Sequence, residues 1–312
     1  MRTRSSVLLG FGMMALANVI GGATYPAQKL ALEGLPPATV TLVRNLIALV
    51  PLAFLAARGS SRTNAPGFLG WGAFAGRERW RVVFIGVMAY AAPLLAGIVG
   101  TQYATSANAS ILLLVEPPTI LFLSWLLLKE RIRPSVVVGI AFGLVGAAVI
   151  VFEGAEPGDL FAGEMLFGNL LLALHGFLWG LHTPLSKPLA NRVDPFVLTL
   201  WIVVASLVLL VPGAAVEWVE PIRRGALAPA LAWTAFLGVF GTVVSLGLWF
   251  AALSRIPSSS VAPFLFLQPL VGVLAGALWL DEPMSRSVWI GGSILVVGVL
   301  FTLRGDSVDS DA

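Results

Sequence analysis

The chain has 312 residues, of which 58% are hydrophobic and only 11% charged, with a mean hydropathy of +0.92. Soluble domains carry about a quarter charged residues, so this composition excludes a soluble core. The net charge of +3 fits basic residues in short loops on one side of a membrane, not a nucleic-acid partner. The lack of cysteine excludes disulfides, thiolate metal sites and cysteine nucleophiles.

Taken in chain order, the apolar stretches predict helices over 6–28, 38–57, 82–102, 107–128, 134–152, 164–187, 195–216, 228–253, 259–280 and 286–304. Each is long enough to cross roughly 30 Å of hydrocarbon. Met1-Arg2-Thr3-Arg4 precedes the first stretch, which has no small-residue cleavage site before Asn18. It therefore reads as a retained helix, not a signal peptide. The longest connection, 58–81, is Gly-rich and basic, and its Trp71, Phe74 and Trp80 are expected at the headgroup level. The other loops are short, which makes sequential helices antiparallel neighbours.

Lys and Arg near the helix ends set the orientation. With the N-terminus in the cytoplasm, fourteen of nineteen basic residues fall inside, among them the five of the long loop, Lys129, Arg131, Arg133, Lys187 and Arg255. The acidic connection carrying Glu153, Glu156, Asp159 and Glu164 falls outside. Both termini are then cytoplasmic, and the expected location is the inner or plasma membrane.

The second five stretches echo the first five. Gly21 to Lys29 matches Trp179 to Lys187 at a shift of 158, and Pro37 and Thr41 then fall on Pro195 and Thr199. Pro117, Glu130, Gly139 and Gly146 fall on Pro269, Glu282, Gly291 and Gly298 at a shift of 152. An odd number of helices per repeat turns the second copy upside down. The expected fold is thus an all-α membrane protein with ten transmembrane helices as two inverted five-helix repeats, 1–153 and 164–304, and a short tail at 305–312. Many secondary transporters are built this way. No nucleotide-binding loop or zinc-protease motif occurs.

Several marks stand in order along 8–304: Trp179-Gly180 with Lys187; Pro37 with Arg44; Glu116-Pro117 with Leu128-Lys129-Glu130; and Gln268-Pro269 with Leu280-Asp281-Glu282. On these residues the chain resembles the drug/metabolite transporter superfamily, EamA type. The resemblance implies a ten-helix exporter of amino acids or other small metabolites, with a central cavity between the halves. It implies no enzyme and no cofactor. The chain departs from the pattern at Gly21-Gly22, where an aromatic-Gly pair is common; this is expected to widen the cavity on one side. Competing readings are a passive pore, which needs a continuous polar stripe, and a non-transporting scaffold, which needs loop surface for soluble partners.

The candidates for substrate binding or coupling are the polar and aromatic residues at mid-depth. Glu116 is placed near a helix midpoint, where a charge costs about 3 kcal/mol on insertion scales. It is read either as a coupling or amine site or as a structural partner of Pro117. Arg44 lies within about 5 Å of the same depth, so pairing with Glu116 is expected ahead of a substrate carboxylate. His175, Trp179, His182 and Ser186 share one helical face. Two histidines seven apart hold no metal without further ligands, so no metal site is expected. His175 is either a substrate or proton group or a polar contact between helices; Trp179 is either a cavity wall or packing. Asn18, Tyr90, Thr242 and Gln268 share this depth, with Tyr25, Gln102, Asn108, Ser245 and Trp249 as further candidates. Lys29 and Lys187 are expected to snorkel or to satisfy carbonyls. A pocket bounded by helices 1, 3, 4, 6, 8 and 9 should gather Asn18, Tyr90, His175, Trp179 and Gln268. Gly139-x-x-x-Gly143 and Gly272-x-x-x-Gly276 allow close helix approach, for a contact between halves or a weak homodimer. The expected partners are a small-molecule substrate and the lipid bilayer, with no nucleic acid.

Overall fold

The computed structural model describes residues 4–63, 65–103, 112–151, 163–217, 226–280 and 286–308. Asn108, the acidic 153–162 stretch, Asp281, Glu282 and the end of the tail lie outside the described residues, as does the side chain of Gln102. All the regular elements described are helical. They are α1 (Arg4–Leu32), α2 (Pro37–Thr63), α3 (76–103), α4 (Glu116–Leu128), α5 (Pro134–Val151), α6 (Gly163–Ala190), α7 (Pro195–Glu217), α8 (227–253), α9 (Leu267–Trp279) and α10 (Arg286–Val308). A 3-10 stretch, Ser259–Phe266, leads into α9. Among the described residues eight helices are long and apolar enough to cross a membrane, and Glu116–Leu128 and Pro134–Ile150 are shorter apolar helices. The protein is an integral membrane protein.

Two helices are not regular throughout. α3 contains a π-helical stretch, Ile85–Ala91, and α8 contains another, Leu237–Val244. Pro93 follows the first; its missing N–H leaves a carbonyl one turn back without its α-helical donor. α4 covers the later part of its apolar run, whose residues 107–111 lie outside the described residues. It opens at Glu116, with Pro117 and Pro118 in its first turn, where a missing N–H leaves no broken bond. Glu116 therefore opens the segment Glu116–Leu128, after helical residues 112–113 and a turn at 114–115. Its 13 residues span only about 20 Å.

The helices pack in a repeating pattern. α2 lies against α7, α5 against α10, α3 against α6, α1 against both α8 and α9, and α4 against α6. Lipid tails are as apolar as leucine, so packing depends on small residues that let backbones approach. A Cβ added at Gly139 would meet the Gly298 carbonyl oxygen at 2.9 Å, and one at Gly146 the Gly291 oxygen at 2.6 Å. The glycine face of α5 therefore builds a contact with α10 of the same chain. Gly22 does the same for α1 against Gln268 and Val271 of α9, and Gly180 for α6 against Glu116 and Thr119 of α4.

The long connection is more ordered than a headgroup-level loop. Phe74 is fully buried, and the ring of Trp71 lies 4.4 Å from that of Trp201 on α7. Trp80 is 75% exposed.

Candidate functional site

A cavity of about 350 Å³ opens between α1, the start of α4, α5 and α9. Its floor is built from residues 152 apart in sequence: Leu113 with Leu265, Leu114 with Phe266, Glu116 with Gln268, and Pro117 with Pro269. Both members of every pair line it. Tyr25, Pro26 and Lys29 of α1 form one wall, and Gly272, Val273 and Gly276 of α9 another. Most of the lining is apolar, which leaves a few polar groups to orient a ligand.

Those polar groups are connected. The Tyr25 hydroxyl donates to Gln268 Oε1 at 3.0 Å, and Gln268 Nε2 donates to Asn18 Oδ1 at 2.7 Å. Asn18 is fully buried and donates through Nδ2 to the Met14 carbonyl at 2.9 Å. The chain fixes the Gln268 amide, so its orientation follows from its two partners. Gly21 makes room for it: a Cβ there would meet Gln268 Cδ at 3.3 Å. The space left by the missing aromatic residue is thus filled by Gln268 and does not widen the cavity. The Glu116 carboxylate, by contrast, has no hydrogen bond or ion pair among the described residues. It faces the cavity with Tyr25 as its polar neighbour.

Arg44 is not its partner. The guanidinium, 9% exposed, bonds Thr242 Oγ1 through Nε at 3.3 Å and Nη2 at 3.2 Å. The expected Arg44–Glu116 pair is therefore corrected. Their expected depths are similar, but α2 packs on α7 and α8 while α4 packs on α6.

The other candidates form a second cluster away from the cavity. Tyr90 donates to Asn45 Oδ1 at 2.8 Å, and its ring meets Trp179 edge-on at 5.7 Å. Trp179 in turn stacks edge-on with His182 at 5.4 Å and His175 at 6.4 Å. His175 Nδ1 lies 2.6 Å from the Pro93 carbonyl oxygen. An oxygen only accepts, so Nδ1 carries the proton. That bond ties α6 to α3, and Gly97 permits it, since a Cβ there would strike the imidazole at 2.4 Å. His175 is thus a contact between helices. The pocket expected to gather five mid-depth residues is corrected: Gln268 lines it and Asn18 reaches it through Gln268, while Tyr90, His175 and Trp179 pack elsewhere. Asn45 escaped the sequence reading, although an amide next to Arg44 in an apolar run was a visible signal. Of the two lysines, Lys187 is buried and donates to the carbonyls of Leu253 and Ile256 at the end of α8. No group of three or more histidine, aspartate or glutamate side chains that could hold a metal occurs among the described residues.

The sequence profile described as the EamA-like transporter family matches residues 8–152 and 166–304. The uncharacterized transporter YvbV of Bacillus subtilis (strain 168) is 26% identical over 310 residues, covering 96% of this chain and 91% of that protein. A protein of Escherichia coli (strain K12) named "Probable amino-acid metabolite efflux pump" is 24% identical over 306 residues, 94% of this chain and 95% of the other. One of Streptantibioticus cattleyicolor, named "Probable terminal-alkyne amino-acid exporter", is 24% identical over 294 residues, 93% and 92% of the two chains. A protein of known crystal structure shares the fold with a TM-score of 0.75 at 21% identity, over 97% of this chain and 99% of that one.

Proposed function

The chain belongs to the EamA-like transporter family, and from that premise we propose an exporter of amino acids or related small metabolites that works by alternating access. As a member of that family it is a membrane transporter and not an enzyme. Ten spanning helices form two inverted five-helix repeats, 1–153 and 164–304, with both termini and the 305–312 tail in the cytoplasm. Several features support this arrangement. The α1 contacts with α8 and α9 have counterparts in the α6 contacts with α3 and α4. Ser245 donates to the Ala17 carbonyl at 2.9 Å, and the residues 152 before and 158 after these two, Pro93 and His175, are the other bonded pair. The π-helical stretches also begin 152 residues apart.

Substrate binding centres on Glu116. The carrying observation is a carboxylate without a hydrogen bond or ion pair among the described residues, facing a cavity of about 350 Å³, a volume in the usual range for small-molecule sites. An ammonium group supplies the missing charge-assisted hydrogen bond. The Gln268 amide and the Tyr25 hydroxyl orient the rest of the ligand, and the apolar floor takes a side chain. Amino acids meet this description, and the names of the two exporters above point the same way. The test is a thermal-shift titration of the purified protein with amino acids and with the same acids lacking the amine. Stabilisation by the amine-bearing compounds alone supports the reading; equal stabilisation by both sets refutes it.

A further inference from the structure

Some residues of the open cavity have counterparts in the other half, and those counterparts are shut away. Tyr25 is 45% exposed, whereas Thr183, its partner at a shift of 158, is 0% exposed. Gly276 lines the cavity, and Ser124, its partner at a shift of 152, is buried with its hydroxyl on Ser258 Oγ at 2.9 Å. Ile150 lines it as well, and its partner Thr302 is again fully buried. The buried set is unusually polar. Thr183 Oγ1, His182 Nε2, Ser186 Oγ and Trp249 Nε1 have no hydrogen-bond partner among the described residues. Buried polar atoms are nearly always paired, so four orphans on α6 and α8 require an explanation.

The end of this closed region is held from two sides. Lys129 adopts a left-handed conformation (φ 56°) after α4, and this turn directs Glu130 onto the chain between α8 and α9. The Glu130 carboxylate accepts from Ser258 N at 2.9 Å, Ser259 N at 2.8 Å and the Ser259 hydroxyl at 2.9 Å. Lys187 takes the carbonyls of Leu253 and Ile256 just before it. One turn of chain is gripped by its N–H groups and by its carbonyls at the same time.

We propose that Thr183, Ser124, Ser186 and Thr302 line a second vestibule for the transported metabolite, opening to the face that carries Glu130, and that Glu130 and Lys187 are the latch that keeps it shut in this conformer. The inference rests on the alternating-access reading above. Glu116 and Gln268 lie at the centre and are reached from one side or the other. In the open vestibule the Thr183 and Ser186 hydroxyls, orphaned here, meet water and substrate, which accounts for their placement, while Ser124 and Thr302 keep their bonds to Ser258 and the Gly298 carbonyl.

The chain has no cysteine, so single-cysteine variants can be used directly in membrane vesicles of known orientation. Tyr25→Cys is expected to react with an impermeant maleimide from the face opposite Glu130. Thr183→Cys should react as slowly as Leu198→Cys, a fully buried α7 control. Adding Glu130→Gln or Lys187→Met removes charge-assisted bonds and should speed Thr183→Cys labelling about tenfold or more, from the Glu130 face only. If either latch variant fails to fold, Ser259→Ala removes one of the three bonds and should give a smaller rise. The proposal is overturned if Thr183→Cys stays as slow as the control in every folded latch variant, or if it reacts from the same face as Tyr25→Cys. Amino-acid flux in the same vesicles separates the two readings. Flux without any opening at Thr183 defeats the vestibule alone. Opening without amino-acid flux leaves the vestibule standing and defeats the substrate assignment.

Discussion

Replacing Glu116 by glutamine separates binding from stability, because on the proposed reading the carboxylate serves the ligand and it has no partner among the described residues. Glu116 has no hydrogen bond or ion pair among the described residues, and Arg44 is held by Thr242. Glu116→Gln therefore strands no buried charge, and its effect on folding should stay within about 0.5 kcal/mol, as for positions without specific contacts. Its effect on an amine ligand should be much larger. Two unit charges about 4 Å apart interact by about 4 kcal/mol at an effective dielectric constant of 20. A hydrogen bond to a charged group retains about 1.5–3 kcal/mol after desolvation, so affinity should fall roughly 10- to 150-fold. The assay is paired: melting temperature in detergent without ligand, then Kd for an amino acid that stabilises the parent protein. An affinity within about twofold of the parent would refute the amine site. A large loss of folded yield, restored by Arg44→Leu, would refute the geometry itself, since only a direct pair gives such non-additivity.

Other substitutions test the packing of the helices. Glu217 Oε2 accepts from Ala38 N at 2.6 Å and Thr39 N at 3.0 Å, capping α2 from the end of α7. Glu217→Ala should cost about 1–2 kcal/mol, read as a lower melting temperature with transport retained. Gly146→Leu drives a side chain into the Gly291 carbonyl, and overpacking there should cost about 1–3 kcal/mol or more. Gly12→Ala, which meets nothing within 4 Å, should melt like the parent. Tyr90→Phe leaves the buried Asn45 amide oxygen without its donor and should cost about 1–3 kcal/mol. Asn45→Leu in the same background should recover part of it, as measured by a double-mutant cycle in melting experiments.

The helices were legible because apolar runs bounded by charge and proline leave little freedom over their ends. α7 and α8 fall within about a residue of their expected limits. The start of α4 was not legible. The run 107–128 has no charged residue except Glu116, and Pro117-Pro118 reads equally as a kink or as a first turn. The Arg44–Glu116 pair failed for a related reason: depth along a helix fixes one coordinate, and which helices are neighbours fixes the other two. His175, Trp179 and Tyr90 do gather, as their common depth suggested, but around the α3–α6 contact and not on the cavity wall. Tyr25 and Gln268 stood among the sequence candidates, yet only the packing of α1 on α9 brings them together. The π-helical stretches leave no sequence mark of their own. Glu130 stood out as a repeated helix-ending residue, and its grip on Ser258 and Ser259 needs the fold to be seen.

The most direct measurement is amino-acid flux through proteoliposomes that contain only this protein, loaded with a panel of amino acids and their deaminated analogues, with and without an imposed pH gradient. Saturable efflux of amine-bearing compounds is expected, with the analogues retained and Glu116→Gln vesicles requiring roughly 10- to 150-fold more substrate for half-saturation. A rate that changes with the pH gradient would add proton coupling, and an unchanged rate would assign the driving force to the substrate gradient. Efflux of the analogues at the same rate, or no protein-dependent efflux of any amine, would contradict a transporter that recognises its cargo through Glu116.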